Sequence, residues 1–130
     1  AATENIEIIN PTDTQYLDIP EGVEVYEIDG PFFFGLASKI DEFDRFRGEK
    51  LKVRVIRMRR VPFIDSTGLN NLRNLYLRSK KEGIRMVLSG VTEKVHASIR
   101  KSGFAAEIGE ENILPHITPA MKRAKELLDE

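Results

Sequence analysis

The stretch whose residue types and spacing best suit chemistry is Ile64-Asp65-Ser66-Thr67-Gly68-Leu69. It sets small hydrogen-bonding side chains between a β-branched run and an apolar helical stripe. At such a junction backbone N–H groups point outward and the helix dipole favours an anion. Ser66 would present its hydroxyl there, and a phosphoryl group placed on it would meet free N–H donors. Asp65 would accept hydrogen bonds from the loop or orient that hydroxyl. The same residues equally suit plain helix capping, because Asp-Ser-Thr ahead of an apolar stripe is ordinary N-cap chemistry.

Two further clusters stand out. Lys50, Lys52, Arg54, Arg57, Arg59 and Arg60 crowd one strand-like run. Arg57, Arg59 and Arg60 are candidate contacts for phosphate, a nucleotide, an acidic partner or anionic lipid. Solvated ion pairing with Asp41, Glu42 and Asp44 is the plainer reading. Phe32, Phe33 and Phe34 cannot all be buried on one face of a strand. They suit a core covered on both sides, or a contact surface for a transmembrane partner.

Other chemistries lack their residues. There is no cysteine, and the two histidines, His96 and His116, lack metal-ligand spacing, so no metal site is expected. Asp29 has no acidic neighbour with which to form a magnesium site for a phospho-acceptor aspartate. Neither a Walker loop nor a nucleophile elbow occurs. No enzymatic activity and no bound cofactor are expected. Twenty basic residues against 21 acidic ones argue against a nucleic-acid binder.

The elements that must position these residues follow from periodicity. A length of 130 residues with 41% hydrophobic content predicts one domain with a real core. Residues 1–20 read as a lead-in or linker, with a short strand at Ile6, Ile8 and Ile9, and residues 21–130 as the domain. Val23 to Ile28 alternates as a strand and could pair with Phe32–Phe34 as a hairpin. Leu36 to Phe46 has helical spacing, with Gly48 as its stop. Leu51 to Val61 is a strand. The apolar stripe Leu69, Leu72, Leu75 and Tyr76 gives a helix that ends near Gly83. A strand over Ile84–Leu88 follows, then a helix capped by Thr92 and stopped at Gly103, and a last short strand at Ala106–Ile108. Thr118-Pro119 predicts the N-cap and first residue of a final helix. The order β-β-α-β-α-β-α-β-α implies an α/β fold, a mixed, mostly parallel sheet with about four helices.

At Val61-Pro62-Phe63-Ile64-Asp65-Ser66-Thr67-Gly68-Leu69 the chain resembles the signature loop of STAS domains, shared by sulfate transporters and anti-sigma-factor antagonists. Val25 to Phe34 is similar to the strand-Gly-x-Phe-Phe segment of the bacterial transporter branch, the SulP anion permeases. Gly83 to Gly90 and Ser102-Gly103-Phe104 fall where that family has its next strand and a helix stop. The resemblance spans about residues 20–130.

It implies a regulatory and interaction domain at the cytoplasmic face of the inner membrane, excised from a longer transporter. The transporter's transmembrane domain would be its partner, alongside a regulatory protein or kinase, a nucleotide, or a second copy through the full-length protein. It also implies two alternatives, a free-standing anti-sigma-factor antagonist and a nucleotide-sensing module. By motif position, Ser66 matches the serine that a kinase phosphorylates in antagonists. Thr67 stands where antagonists usually carry a second serine, and the aromatic cluster is a transporter trait.

Overall fold

The computed structural model describes residues 5–9, 18–45 and 50–130. Among them, β1 (Asn5–Ile9), β2 (Val23–Asp29), β3 (Val53–Arg60) and β4 (Arg85–Ser89) form a sheet in that spatial order. β1 is antiparallel to β2, while β2, β3 and β4 run parallel. The helices are α1 (Leu36–Arg45), α2 (Ser66–Lys81), α3 (Glu93–Ser102), α4 (Phe104–Ile108) and α5 (Ile117–Leu128).

Strand alternation sorts the core into two layers. Tyr26, Ile28, Ile56, Met58, Met86 and Leu88 face one way, against Leu36, Ile40, Leu72, Leu75, Val95, Ile99 and Phe104 of the first four helices. Val23, Val25, Val53, Val55 and Val87 face the other way, against Ala120, Met121, Ala124 and Leu127 of α5. β3 is buried on both faces, which explains its β-branched run.

Three expectations are corrected. Phe32–Phe34 does not pair with β2 as a hairpin; the partner of β2 is β1, with Ile6 opposite Ile28. Positive φ angles at Gly30, Phe33 and Gly35 curl the aromatic segment away from the sheet. Ala106–Ile108 is not a strand but the end of α4. Gly103 ends α3 in the left-handed conformation, and Phe104, Ala105 and Ile108 are then buried at helical spacing. Three residues were too short a window to reveal that period. The outer edge of β4 keeps one bridge, from Leu88 to Ile113. Finally, α5 begins at Ile117 with His116 at the N-cap, so Thr118 and Pro119 fall inside its first turn. Proline is tolerated there, because first-turn N–H groups have no intrahelical acceptor.

The expected Thr92 cap and Gly103 stop of α3 are both present. The stop expected at Gly48 lies outside the described residues.

Candidate functional site

Val61 and Ile64 are buried and anchor the junction between β3 and α2, leaving Pro62 and Phe63 exposed between them. Asp65 then adopts extended geometry as the N-cap of α2, and its Oδ1 accepts from the Gly68 N–H at 3.0 Å. Ser66 is the first helical residue, and both it and Thr67 are exposed. Asp65 therefore supplies the cap, leaving the Ser66 hydroxyl free of that role. Ser66 and Thr67 present the N–H groups that a helix start leaves without intrahelical acceptors.

The loop after β2 is latched onto this turn. Gly68 is buried, and a side chain there would overlap the Pro31 carbonyl oxygen and come within 2.9 Å of Ile64 Cγ1. One turn further on, Asn71 Nδ2 donates to the Phe32 carbonyl at 2.8 Å. Held this way, the three phenylalanines separate. Phe33 turns fully into the core, Phe32 is half-buried and Phe34 is 61% exposed. Phe32 lies 5.4 Å from Phe34 and 6.2 Å from Phe63, ring centre to ring centre. Lys94 Nζ sits 6.0 Å over the Phe63 ring. The result is an aromatic patch with a cationic rim beside the exposed Ser66 turn, at the edge where β2 and β3 end. A fully buried aromatic segment is thus realised at Phe33 alone.

The expected pairing with α1 is met by Arg54 and not by Arg59 or Arg60. Arg59 Nε donates to Glu27 Oε1 at 2.5 Å, and Arg60 Nε approaches the same oxygen at 3.8 Å. Their counter-charge comes from β2, not from Asp41, Glu42 or Asp44 of α1. Asp41 instead pairs with Arg78 at 2.5 Å, and Asp44 with Arg54 at 3.3 Å. Burial works to raise the Glu27 carboxyl, and the Arg59 hydrogen bond with the surrounding arginine charges outweighs it, holding Glu27 below the usual carboxylate range. Arg57 is half-buried and alternates with Val53 and Val55, on the α5 side. Among the described residues no hydrogen bond or ion pair joins Ser66 to Arg57, Arg59 or Arg60, so the sequence candidates form two groups, one at the start of α2 and one around Glu27.

One buried polar assembly went unrecognised in the sequence. Arg54 is 1% exposed; its Nη1 donates to Ser79 Oγ at 2.6 Å and its Nη2 to Asp44 at 3.3 Å. Its guanidinium also lies 5.7 Å from the Tyr26 ring centre, and burial pushes the Tyr26 hydroxyl well above its ordinary pKa. The available signal was parity, since Arg54 alternates with Ile56 and Met58. The histidines take peripheral positions: His96 Nε2 is 2.8 Å from Glu110 Oε1, and His116 is exposed ahead of α5. Among the described residues no His, Asp and Glu side chains gather in threes to hold a metal. No helix there is long and apolar enough to cross a membrane.

Residues 16–123 match the STAS domain family. The "Sulfate transporter 4.1, chloroplastic" of Arabidopsis thaliana is 27% identical over 103 residues, 69% of this chain and 15% of that protein. The chain thus spans a small part of that relative's length. Among solved structures, a sulfate transporter family protein from Wolinella succinogenes superposes with a TM-score of 0.79 at 38% identity, covering 94% of this chain and all of the other. The STAS domain of a SulP transporter from Vibrio cholerae gives 0.76 at 28% identity, covering 86% and 88% of the two chains. The murine anion transporter Slc26a9 shares the fold, with a TM-score of 0.74 at 20% identity over 91% of this chain and 20% of that one.

Proposed function

The chain belongs to the STAS domain family and is related to the STAS domains of SulP and SLC26 transporters; from that premise we propose that it acts as the regulatory, partner-docking domain of a SulP-type anion transporter. The observation that carries this reading is the patch of Phe32, Phe34 and Phe63 at the edge where β2 and β3 end. The same edge receives the chain, because Asn5 at the start of β1 stands opposite Asp29 at the end of β2. A membrane domain joined ahead of β1 would therefore attach beside the patch, at the cytoplasmic face of the membrane.

Exposed aromatics that a soluble surface does not need suit a contact made within a larger assembly. The test is disulfide cross-linking in the full-length transporter, between a cysteine at Phe34 or Phe63 and cysteines in the cytoplasmic loops of the membrane domain. Efficient cross-links from this edge, and none from a control on α5 such as Lys122→Cys, are expected. The reverse pattern would overturn the docking assignment.

A second reading is favoured by the exposure of Ser66 alone. A kinase-controlled switch, as in the antagonist branch, requires a reachable hydroxyl at the signature loop, and Ser66 has one. A complete reading frame of about this length, without hydrophobic spans, would favour that reading over the transporter.

A further inference from the structure

A set of donors without an acceptor gathers on the sheet face opposite the signature loop. Arg57 stands in register between Glu27 on β2 and Ser89 on β4. These residues alternate with Val25, Val55 and Val87, so they lie on the face that α5 covers. The direction of α5 brings its first turn to the same level. Just ahead of it, the Leu114 N–H donates to the Leu88 carbonyl at 2.9 Å. At its far end, Glu130 Oε1 lies 3.4 Å from Arg85 Nη1, at the start of β4. Ala120 and Met121 share one buried cluster with Val55 and Val87, and Leu114 and Ile117 pack against it, so the direction of α5 carries its first turn toward Arg57 and Ser89.

Each part of this corner lacks a partner. His116 provides no side-chain cap for α5. The N–H groups of Ile117 and Thr118 therefore have no intrahelical acceptor. Ser89 Oγ is completely buried without a hydrogen bond, a costly state for a hydroxyl. Arg57 is half-buried and makes no direct ion pair among the described residues. Its nearest carboxylate in register, Glu27, is engaged by Arg59 at 2.5 Å and approached by Arg60 at 3.8 Å. Three arginines around one carboxylate leave surplus positive charge.

We propose that the corner formed by Arg57, Ser89 and the first turn of α5 binds a tetrahedral oxyanion, a sulfate or a phosphate, either free or carried on an anionic lipid headgroup. The guanidinium supplies charge-assisted hydrogen bonds, the helix start supplies N–H donors aligned with its dipole, and Ser89 supplies the deepest donor. This site stands independently of the docking role, since it uses neither the aromatic patch nor Ser66.

The test is amide chemical-shift titration of the 130-residue chain with sodium sulfate and with sodium phosphate, chloride being adjusted to hold ionic strength constant. Saturable shifts at Ser89, Ile117 and Thr118 are expected, with millimolar affinity. Arg57→Gln should weaken binding at least about tenfold, whereas Arg60→Gln changes it less than about twofold. Ser89→Ala removes an atom that has no partner, so it should fold as well as wild type while losing affinity several-fold. That variant keeps the question decidable if Arg57→Gln unfolds. A parallel arm uses phosphatidylglycerol and phosphatidylcholine vesicles. Binding to phosphatidylglycerol vesicles alone, lost in Arg57→Gln or Ser89→Ala, assigns the oxyanion to a headgroup, and binding to the free salts assigns it to a soluble ion. Shifts confined to Ser66–Gly68, an unchanged affinity in folded Arg57→Gln and Ser89→Ala, or no saturable response in either arm would overturn the site.

Discussion

The Pro31 carbonyl oxygen occupies the space that a side chain on Gly68 would fill. This contact joins the loop carrying the aromatic patch to the first turn of the helix carrying Ser66. The two halves of the candidate docking edge are thereby held in one arrangement.

Gly68→Ala should therefore destabilise the domain, although alanine favours a helix by about 1 kcal/mol over glycine. The new methyl meets backbone rather than a flexible side-chain tip, and Ile64 Cγ1 stands 2.9 Å from it. Overpacking of this kind costs about 1–3 kcal/mol, so a net loss of up to about 2 kcal/mol is expected. Urea denaturation measures it. The amides of Phe32 to Phe34 should also exchange faster, because the latch on their loop is displaced.

A different test separates the buried Arg54 from its partners. Asp44→Ala removes a carboxylate from the buried guanidinium and leaves it Ser79 Oγ, at 2.6 Å, and the Tyr26 side chain. Stranding a buried charge costs about 3–5 kcal/mol, and partial exposure of Asp44 places the expected loss at or below that lower bound, about 2–3 kcal/mol. Arg54→Met removes the charge and retains apolar volume over Tyr26, so it should cost less than Asp44→Ala. Thermal and urea unfolding of the two variants gives the order. A larger loss in Arg54→Met would show that the pair itself, not relief of a stranded charge, dominates.

These residues show what the sequence could and could not convey. Arg54 was legible only as one cation in a crowded strand, because parity predicts a side-chain direction but not whether a charge finds partners there. Asp44 of α1 was among the counter-charges the sequence suggested, whereas Ser79 of α2, distant in sequence, was not. The strand-to-helix junction at Asp65–Gly68 was fully visible, since capping is local chemistry. Which residue caps and which stays exposed depended on the backbone angle at Asp65. The aromatic run was visible as a conflict with strand alternation, and the positive φ at Phe33 resolves it. α4 was not legible because Ala106–Ile108 is too short a window to show that Phe104, Ala105 and Ile108 share one helical face. The corner at Arg57, Ser89 and Ile117 draws on two strands and a helix start, a juxtaposition that only the completed fold creates.

Acid should weaken the fold through carboxylates titrating below their ordinary range. The Arg100 hydrogen bond leads this effect at Glu110, against some desolvation and with help from His96, drawing the carboxyl from 4.5 to about 2. A depressed folded-state pKa gives stability that is present above the unfolded value and lost as pH falls through the folded one. The Glu110 contribution is thus complete above the ordinary carboxylate range and disappears as pH drops from about 4.5 to about 2. Arg100→Gln should flatten the fall of unfolding midpoint with pH over that window by lowering the neutral-pH midpoint, modestly because the pair is exposed, while leaving the midpoint at the acid end of the window unchanged. Urea midpoints measured at intervals of pH check this. An unaltered slope would assign the acid response to Glu27 and other carboxylates.

The final prediction concerns Ser66, and the position of Asp65 sharpens it. A neighbouring carboxylate would repel a phosphoryl group on Ser66, but Asp65 already turns one oxygen to the Gly68 N–H at 3.0 Å. The helix start still offers N–H donors to an added charge, and the dipole contributes on the order of 1 kcal/mol. Phosphorylation would add nearly two negative charges beside the aromatic patch, enough to disrupt an apolar or acidic partner's docking. Ser66→Asp should therefore fold normally and weaken partner binding or alter transport. Ser66→Ala should lose less than about 0.5 kcal/mol, because Asp65 and not Ser66 makes the cap bond, whereas Asp65→Ala should lose about 1 kcal/mol. Stability of the isolated domain and transport or partner affinity of the full-length protein, measured for all three variants, decide the matter. If Ser66→Asp matches wild type in function while Asp65→Ala shows the cap loss, the loop is a helix cap and the phosphoryl switch does not operate.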